Sequence, residues 1–335
     1  MTIKDLAAQT GYSVGTVSRV LNNQRNVSDK AREAILRAAK ESGFQLNTNA
    51  KQLKQQRGTS IQVICKGNVN ELFSNLLVVI QSRSAQIGYP LVVDYIDESE
   101  NEVRRAIQLC REKKPLGVLF LGGHNENFLA DFHQITLPTV LVTNDASILP
   151  FENLSSVSSD DFLAGQMVID YLVELGHKKI VIIGGERQAS DITRLRYQGC
   201  MEAFRRHSLA FDEKRDYETI RFSYQDGYRA AQALLSRNQE FTAVFAMSDV
   251  MAIGAIRALK DAGKRVPEDI SVVGFDGLTL SDYTAPRLAT VAQAIDELAE
   301  RSLQLLTDHI EGKGTARHEI IPVKLQRRES AGKME

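Results

Sequence analysis

The sequence predicts an all-α head followed by an α/β body of two doubly wound parallel-sheet lobes, and three observations predict it. Residues 1–57 show three short amphipathic helical patterns and carry ten Lys/Arg against four Asp/Glu, a net charge of +6. From residue 58 onward, where 31 basic and 38 acidic residues leave a net charge of −7, short apolar runs alternate with helical stretches. Those runs fall into two successive series. The length of 335 residues, with 43% hydrophobic and 25% charged, suits two or three domains and excludes wholesale disorder. A small basic head on a large acidic body assigns contact with a polyanion to the head alone.

In the head, Thr2 with Asp5 three residues on has the form of a capping box, and Ile3, Leu6 and Ala7 then repeat at helical spacing until Gly11. Ser13 caps a second helix that buries Val17, Val20 and Leu21 and leaves Val14, Gly15, Ser18, Arg19 and Asn22 outward. After the polar loop from Asn22 to Val27, Ser28 caps a third helix with Ala31, Ile35 and Ala38 inward and Gly43 near its end. Two short helices joined by a glycine-containing turn and backed by a third form a helix-turn-helix. The run Gly11-Tyr12-Ser13-Val14-Gly15 matches the G-x-S-x-G elbow of hydrolases, but that elbow needs a strand before its serine, and here a polar helix precedes it.

The first series of body strands is Ile61–Cys65, Leu91–Tyr95, Leu116–Leu121 and Thr139–Val142; the second is Ile180–Ile183, Tyr217–Ile220, Ala243–Ala246 and Ser271–Phe275. This spacing predicts right-handed β-α-β units, with the ligand site in the cleft where strand carboxyl ends of the two lobes face each other. Catalytic and cofactor chemistry finds no anchor. The six histidines form no H-E-x-x-H or H-x-H pair, no P-loop or G-x-G-x-x-G follows a strand, and Cys65, Cys110 and Cys200 stand far apart. His177, in a helix-to-strand turn, reads as a surface or capping histidine. No apolar run reaches membrane-spanning length and the amino terminus lacks a secretory pattern, so a cytoplasmic protein without a membrane partner is expected.

Three stretches of the head, Thr2-Ile3-Lys4-Asp5-Leu6-Ala7, Thr16-Val17-Ser18-Arg19-Val20-Leu21-Asn22 and Phe44-Gln45-Leu46-Asn47-Thr48-Asn49-Ala50-Lys51-Gln52-Leu53, closely resemble the head and hinge of the lactose/galactose repressor (LacI/GalR) family. The resemblance continues through Leu175 to Ile180, Arg196 three residues before Gly199, Pro267 to Asp276 and Leu288 to Gln293, nearly the whole chain. It implies a DNA-binding transcriptional regulator and no enzyme. The organisation it implies is a helix-turn-helix domain at 1–45, a hinge helix and linker at 46–58, and an effector-binding and dimerisation domain at 59–335. The lobes of that domain, of the periplasmic-binding-protein-like type, would span about 59–157 plus 293–322 and about 158–292 plus 323–335.

By the same resemblance, Val14, Gly15 and Arg19 read bases, Thr2, Ser13, Thr16 and Asn22 hold phosphates, and Ala50, Lys51 and Leu53 enter the minor groove. Arg19 has the strong code, because a guanidinium fits the two major-groove acceptors of guanine; Leu53 would wedge between base steps. Leu46 and Lys51 stand where the family pattern has proline and arginine. The resemblance assigns effector binding to Phe73, Arg196, Phe222 and Asp276, and Ser248 with Asp249 opens a helix toward the same cleft. A carboxylate that accepts and a guanidinium that donates suit sugar hydroxyls. Two other readings stay open: Phe73 and Phe222 as core aromatics, and Arg196–Asp276 as a structural ion pair.

The expectation is therefore a homodimeric repressor of a carbohydrate-use operon, acting on a near-palindromic operator and switched by a sugar-like small molecule, with no cofactor. The dimer face is expected to include the first body helix, whose Leu76, Leu77, Val78, Val79 and Ile80 exceed what one buried stripe requires. Gln326 to Glu335, after the last strand, is too short for a tetramerising heptad array. The rival classes are a sugar-binding module without a DNA role, which the basic head opposes, and a sugar- or nucleotide-processing enzyme, which needs an acid and base pair.

Overall fold

The computed structural model describes residues 3–21, 27–42, 58–67, 70–188, 190–237 and 240–334, and the chain forms two compact units, Met1–Gly58 and Thr59–Glu335.

In the first unit, α1 (Ile3–Thr10), α2 (Val14–Leu21) and α3 (Asp29–Glu41) enclose a small core of Leu6, Ala7, Val17, Val20, Ile35 and Ala39. Gly11, at φ +69, turns the chain between α1 and α2 in the left-handed region that a Cβ disfavours. Ser13 Oγ accepts the Thr16 N–H at 3.1 Å and Ser28 Oγ accepts the Ala31 N–H at 3.4 Å, so both hydroxyls satisfy orphan donors at helix starts. Ala38, read as inward, is only half-buried; its neighbour Ala39, one turn on from Ile35, takes the buried place.

The second unit holds two six-stranded sheets. The first contains β1 (Ile61–Lys66), β2 (Leu91–Ile96), β3 (Gly117–Leu121), β4 (Thr139–Val142), β5 (Leu154–Ser159) and β11 (His318–Ile321), in the order 11-5-4-3-1-2 and parallel throughout. The second contains β6 (Ile180–Gly184), β7 (Tyr217–Thr219), β8 (Ala243–Ala246), β9 (Ser271–Asp276), β10 (Ala289–Ala292) and β12 (Lys324–Gln326), in the order 12-10-9-8-6-7, with β12 alone antiparallel. Helices α4 (Glu71–Gln86), α5 (Glu102–Lys113), α6 (Asn125–Asp131) and α12 (Ile295–Ile310) cover the first sheet. The second is covered by α7 (Asp161–Glu174), α8 (Asp191–Arg206), α10 (Tyr224–Ser236) and α11 (Asp249–Asp261); the one-turn α9 (Glu213–Asp216) leads into β7.

The chain passes between the sheets after β5, after β10 and between β11 and β12. Both sheets repeat one order, in which the first strand is flanked by the second and third, and the carboxyl ends beside that reversal form a ready-made crevice. Strand β5, Leu-Ser-Ser-Val-Ser-Ser, is buried along its whole length although it is mostly serine. Hydrogen bonds compensate: Ser155 Oγ accepts the Arg317 N–H, Ser156 Oγ accepts the Ala146 N–H, and Ser159 O–H donates to Gln293 Oε1.

Two expectations are corrected here. Leu76, Leu77 and Ile80 are buried in the core of the first sheet and Val79 packs against it, because α12 covers α4 from a second side; only Val78, 65% exposed, points outward. His177 is not a surface residue: it is buried, its Nε2–H donates to Gly332 O at 3.1 Å, Nδ1 lies 3.0 Å from Thr242 Oγ1, and it pins the C-terminal segment to the second sheet.

Helices α7 and α8 touch through glycine. A Cβ on Gly165 would overlap Arg196 O, and one on Gly199 would overlap Phe162 O. Gly199→Ala is therefore expected to cost about 1–3 kcal/mol through forced separation of the helices. The denaturant midpoint measures it, and an unchanged midpoint would mean that the helices give way freely.

Candidate functional site

The carboxyl ends of both sheets open onto one cavity of about 250 Å³. Lys66 ends β1, Gly122 and Gly123 follow β3, Thr143 and Asn144 follow β4, and Asp276 ends β9; all line it, together with Gly185 after β6, Phe222 after β7 and Gln293 after β10. Two hydrogen bonds join the lobes at its rim, from the Asn125 N–H to Asp191 Oδ2 at 3.1 Å and from Tyr224 O–H to Glu71 Oε2 at 3.0 Å.

The aromatic walls are set by glycines. Phe73 stands in the first turn of α4, its N–H bonded to Asn70 Oδ1, and its ring occupies the space a Cβ on Gly122 would need. In the other lobe Phe222 lies in the same way against Gly185. Both rings border the cavity and both also serve the core: Phe73 is buried among the apolar residues of the first sheet, and Phe222 packs against those of the second.

At the floor, Arg196 stands in the second turn of α8, 3% exposed. Its Nε–H donates to Asp161 Oδ1 at 2.7 Å, Nη1 donates to Met247 O at 2.7 Å, and the guanidinium lies 3.5 Å from the centroid of the Phe275 ring. The ion pair of Arg196 is thus with Asp161 and not with Asp276, which leaves the remaining N–H groups of its fork for a ligand. Asp276 Oδ1 accepts from Gln293 Nε2 at 2.9 Å, and Gln293 Oε1 in turn accepts from Ser159. Burial pushes the Asp276 carboxyl up to about 8; the nearby Asp249 and Asp161 add to this, while Arg196 and Gln293 oppose it. Its backbone is strained as well, at φ 116, and Thr143 at the end of β4 has φ 77. Conformations of this kind persist where a surrounding site imposes them.

Ser248 and Asp249 are used inside the fold. Ser248 Oγ accepts the Met251 N–H as the cap of α11 and does not line the cavity. Asp249 accepts from the Leu278 N–H, Ser281 Oγ and Thr290 Oγ1, clasping the connection from β9 to β10. Sequence reasoning missed Asp161, Gln293 and the buried Lys66–Glu102 pair at 2.6 Å, in which Glu102 also accepts the His124 N–H. Gln293 was within reach, since it ends the family-like run Leu288 to Gln293.

Residues 2–47 match the family described as "Bacterial regulatory proteins, lacI family", and residues 169–331 match "Periplasmic binding protein-like domain". The chain is 35% identical over 335 residues to the HTH-type transcriptional regulator MalR of Clostridium butyricum, covering 98% of this chain and 99% of that one. The chain belongs to the LacI family. Its fold is similar to that of the lac repressor dimer bound to operator and the anti-inducer ONPF, with 26% identity, 99% of both chains covered and a TM-score of 0.82. It is also similar to the transcriptional regulator CelR in complex with cellobiose, with 29% identity, 98% of this chain and 99% of that chain covered and a TM-score of 0.74. The protein is accordingly a LacI-family DNA-binding transcriptional regulator and not an enzyme, and among its described residues no helix is long and apolar enough to cross a membrane.

In the head of this LacI-family regulator, Ser13, Val14, Gly15 and Arg19 are exposed and Thr16 is half-exposed, while Val17 and Val20 face the core. Ser13 Oγ and Thr16 Oγ1 lie 2.9 Å apart. Helix α1 precedes Ser13, so no nucleophile elbow forms. Thr2, Asn22, Ala50, Lys51 and Leu53, expected to contact DNA, lie outside the described residues.

The raised Asp276 carboxyl has a consequence for stability. Its folded value of about 8 lies above the unfolded value of roughly 3.9, so ionising it opposes folding, and its stability contribution falls as pH rises between those values. Asp276→Asn removes that loss. Without effector, the variant's melting temperature should exceed the parent's by a margin that widens from pH 5 to pH 8; a margin independent of pH would contradict the buried, protonated state.

Proposed function

We propose that the protein is a homodimeric repressor of a carbohydrate-use operon whose operator binding is switched by a sugar. The observation that carries this reading is the composition of the cleft: an accepting carboxyl at Asp276 and a donating guanidinium at Arg196 between the rings of Phe73 and Phe222. Hydroxyls of a sugar pair with the polar groups and its C–H faces with the rings. The cellobiose held by CelR supports the same class of ligand, and the dimeric lac repressor on its operator supports two-fold pairing of heads on a near-palindrome.

In the head, we read Val14, Gly15 and Arg19 as base-facing and Ser13 and Thr16 as phosphate-facing, which their exposure supports. Thr2 and Asn22 complete the phosphate set, and the hinge at 46–58, with Ala50, Lys51 and Leu53 in the minor groove, joins the domain at 1–45 to the effector domain at 59–335. Arg19→Ala should cost about 1–3 kcal/mol of binding to a near-palindromic site selected from a random pool, and relax preference at one base pair per half-site. Gel shifts on a base-substituted series read both; unchanged affinity and preference would remove Arg19 as a reader.

The effector half is tested by a thermal-shift screen of sugars followed by calorimetry, because a ligand bound only by the folded state raises the melting temperature. Asp276→Asn should lose sugar affinity and the sugar's effect on the gel shift while keeping DNA affinity. This variant is cleaner than Arg196→Ala, which would strand the Asp161 carboxylate in the interior. Normal affinity in Asp276→Asn would sink the site assignment.

A further inference from the structure

The cleft has a second chamber that the residues above do not use. Lys66, Glu98, His124 and Ser190 border the inner cavity and also a recess of about 330 Å³ beside it, whose walls come from the β2–α5 connection of one lobe and the loop before α8 of the other. The two chambers differ in chemistry. The inner one has Leu72, Phe73, Ile192, Ile220 and Phe222 on its walls, whereas every residue lining the outer one is polar or charged. Asn101 and Gln188 line the outer chamber from different lobes; Asn101 already accepts the Arg104 N–H and donates to Asn127 Oδ1, which leaves one N–H of its amide to spare.

The charge of the outer chamber is one-sided. Glu98, Glu100 and Glu126 line it, while Lys66 is already neutralised by the buried Glu102. His124 offsets them little, because burial and the nearby Lys66 hold its imidazole below the usual range against the pull of Glu102, Asp191 and Glu126. A ligand group placed here gains from many hydrogen-bonding partners and loses if it is anionic, since like charges within a few ångströms repel strongly in a partly dry cleft.

Building on the sugar reading, we propose that the effector is an uncharged sugar of at least two units, one between the aromatic walls of the inner cavity and the next in the polar outer chamber. The carboxylates there turn away phosphorylated sugars. The inner unit supplies apolar contact and the bonds to Arg196 and Asp276; the outer unit supplies hydroxyls to amides contributed by both lobes, and so bridges them.

Calorimetry on the full-length protein tests this with maltose, cellobiose, lactose, trehalose and sucrose against glucose, galactose, fructose, ribose and glucose 6-phosphate. One neutral disaccharide should bind at least about tenfold more tightly than either of its units. Gln188→Ala, at the exposed outer wall, should weaken that disaccharide and leave its inner unit unaffected. Glucose 6-phosphate should bind more weakly than glucose, and the double variant Glu98→Gln, Glu126→Gln should narrow that gap. A monosaccharide binding as tightly as every disaccharide, equal losses for both ligands in Gln188→Ala, or tighter binding of the phosphate overturns the two-chamber proposal and leaves the sugar reading standing. If no sugar of either size binds, the sugar reading falls, and the proposal with it.

Discussion

A buried ion pair, Asp161 with Arg196, is the constraint around which the effector cleft is arranged. Each side chain is almost wholly enclosed, and the pair is held by a carboxylate for Nε, the Met247 carbonyl for Nη1 and the Phe275 ring at the face of the guanidinium, with the other N–H groups of the fork left over. Such a pair adds little net stability over an apolar substitute, but it fixes where the guanidinium lies. The reciprocal glycine contacts between α7 and α8 bring the two helices close enough for it to form, with Arg196 O itself resting against Gly165. Packing at the back of the second lobe thus positions a donor at the front.

That donor lies close to a carboxyl that the same burial keeps from ionising. Asp276 faces the desolvation of its own site and the field of two other carboxylates, and Arg196 offsets only part of this because Asp161 already neutralises it. The floor without ligand therefore combines an occupied cation with a protonated acid held in a strained conformation. Sites of this kind give up stability for readiness to bind, since groups that a ligand must satisfy are left under-satisfied in its absence.

Much of this was legible from apolar periodicity, and the misses fall where that signal is short or polar. The runs at Thr139–Val142 and Ala243–Ala246 are strands to the residue, because strands buried on both faces are apolar throughout. Strand β5 escaped because serine hydroxyls with dedicated partners can be buried without any apolar signal, and β11 and β12 escaped as short, partly exposed edge strands. Polar roles were the hardest to read. Ser248 and Asp249 have the residue types and place of cleft ligands yet serve as a cap and a clasp, while Asp161 and Gln293 serve the cleft from crossings between the lobes. Sequence shows that a polar group sits at a strand end; only the fold shows whether backbone groups have claimed it.

The position of Gln293 bears on how a bound ligand could be felt at a distance. Ser159, Gln293 and Asp276 form one chain of hydrogen bonds, and two of its members stand where the chain passes from one sheet to the other. A ligand that donates to Asp276 favours its ionised form, which strengthens the bond from the Gln293 amide and, through it, the hold on Ser159. The Asn125–Asp191 and Tyr224–Glu71 bonds join the same two bodies across the cavity. Lobe closure then depends on contacts at both the crossings and the rim. A ligand shifts that equilibrium only by the difference in its affinity for the two arrangements. A ligand confined to the floor would act on the crossings alone; one that also touches both walls at the mouth would act on both sets, and the second, polar chamber provides those walls.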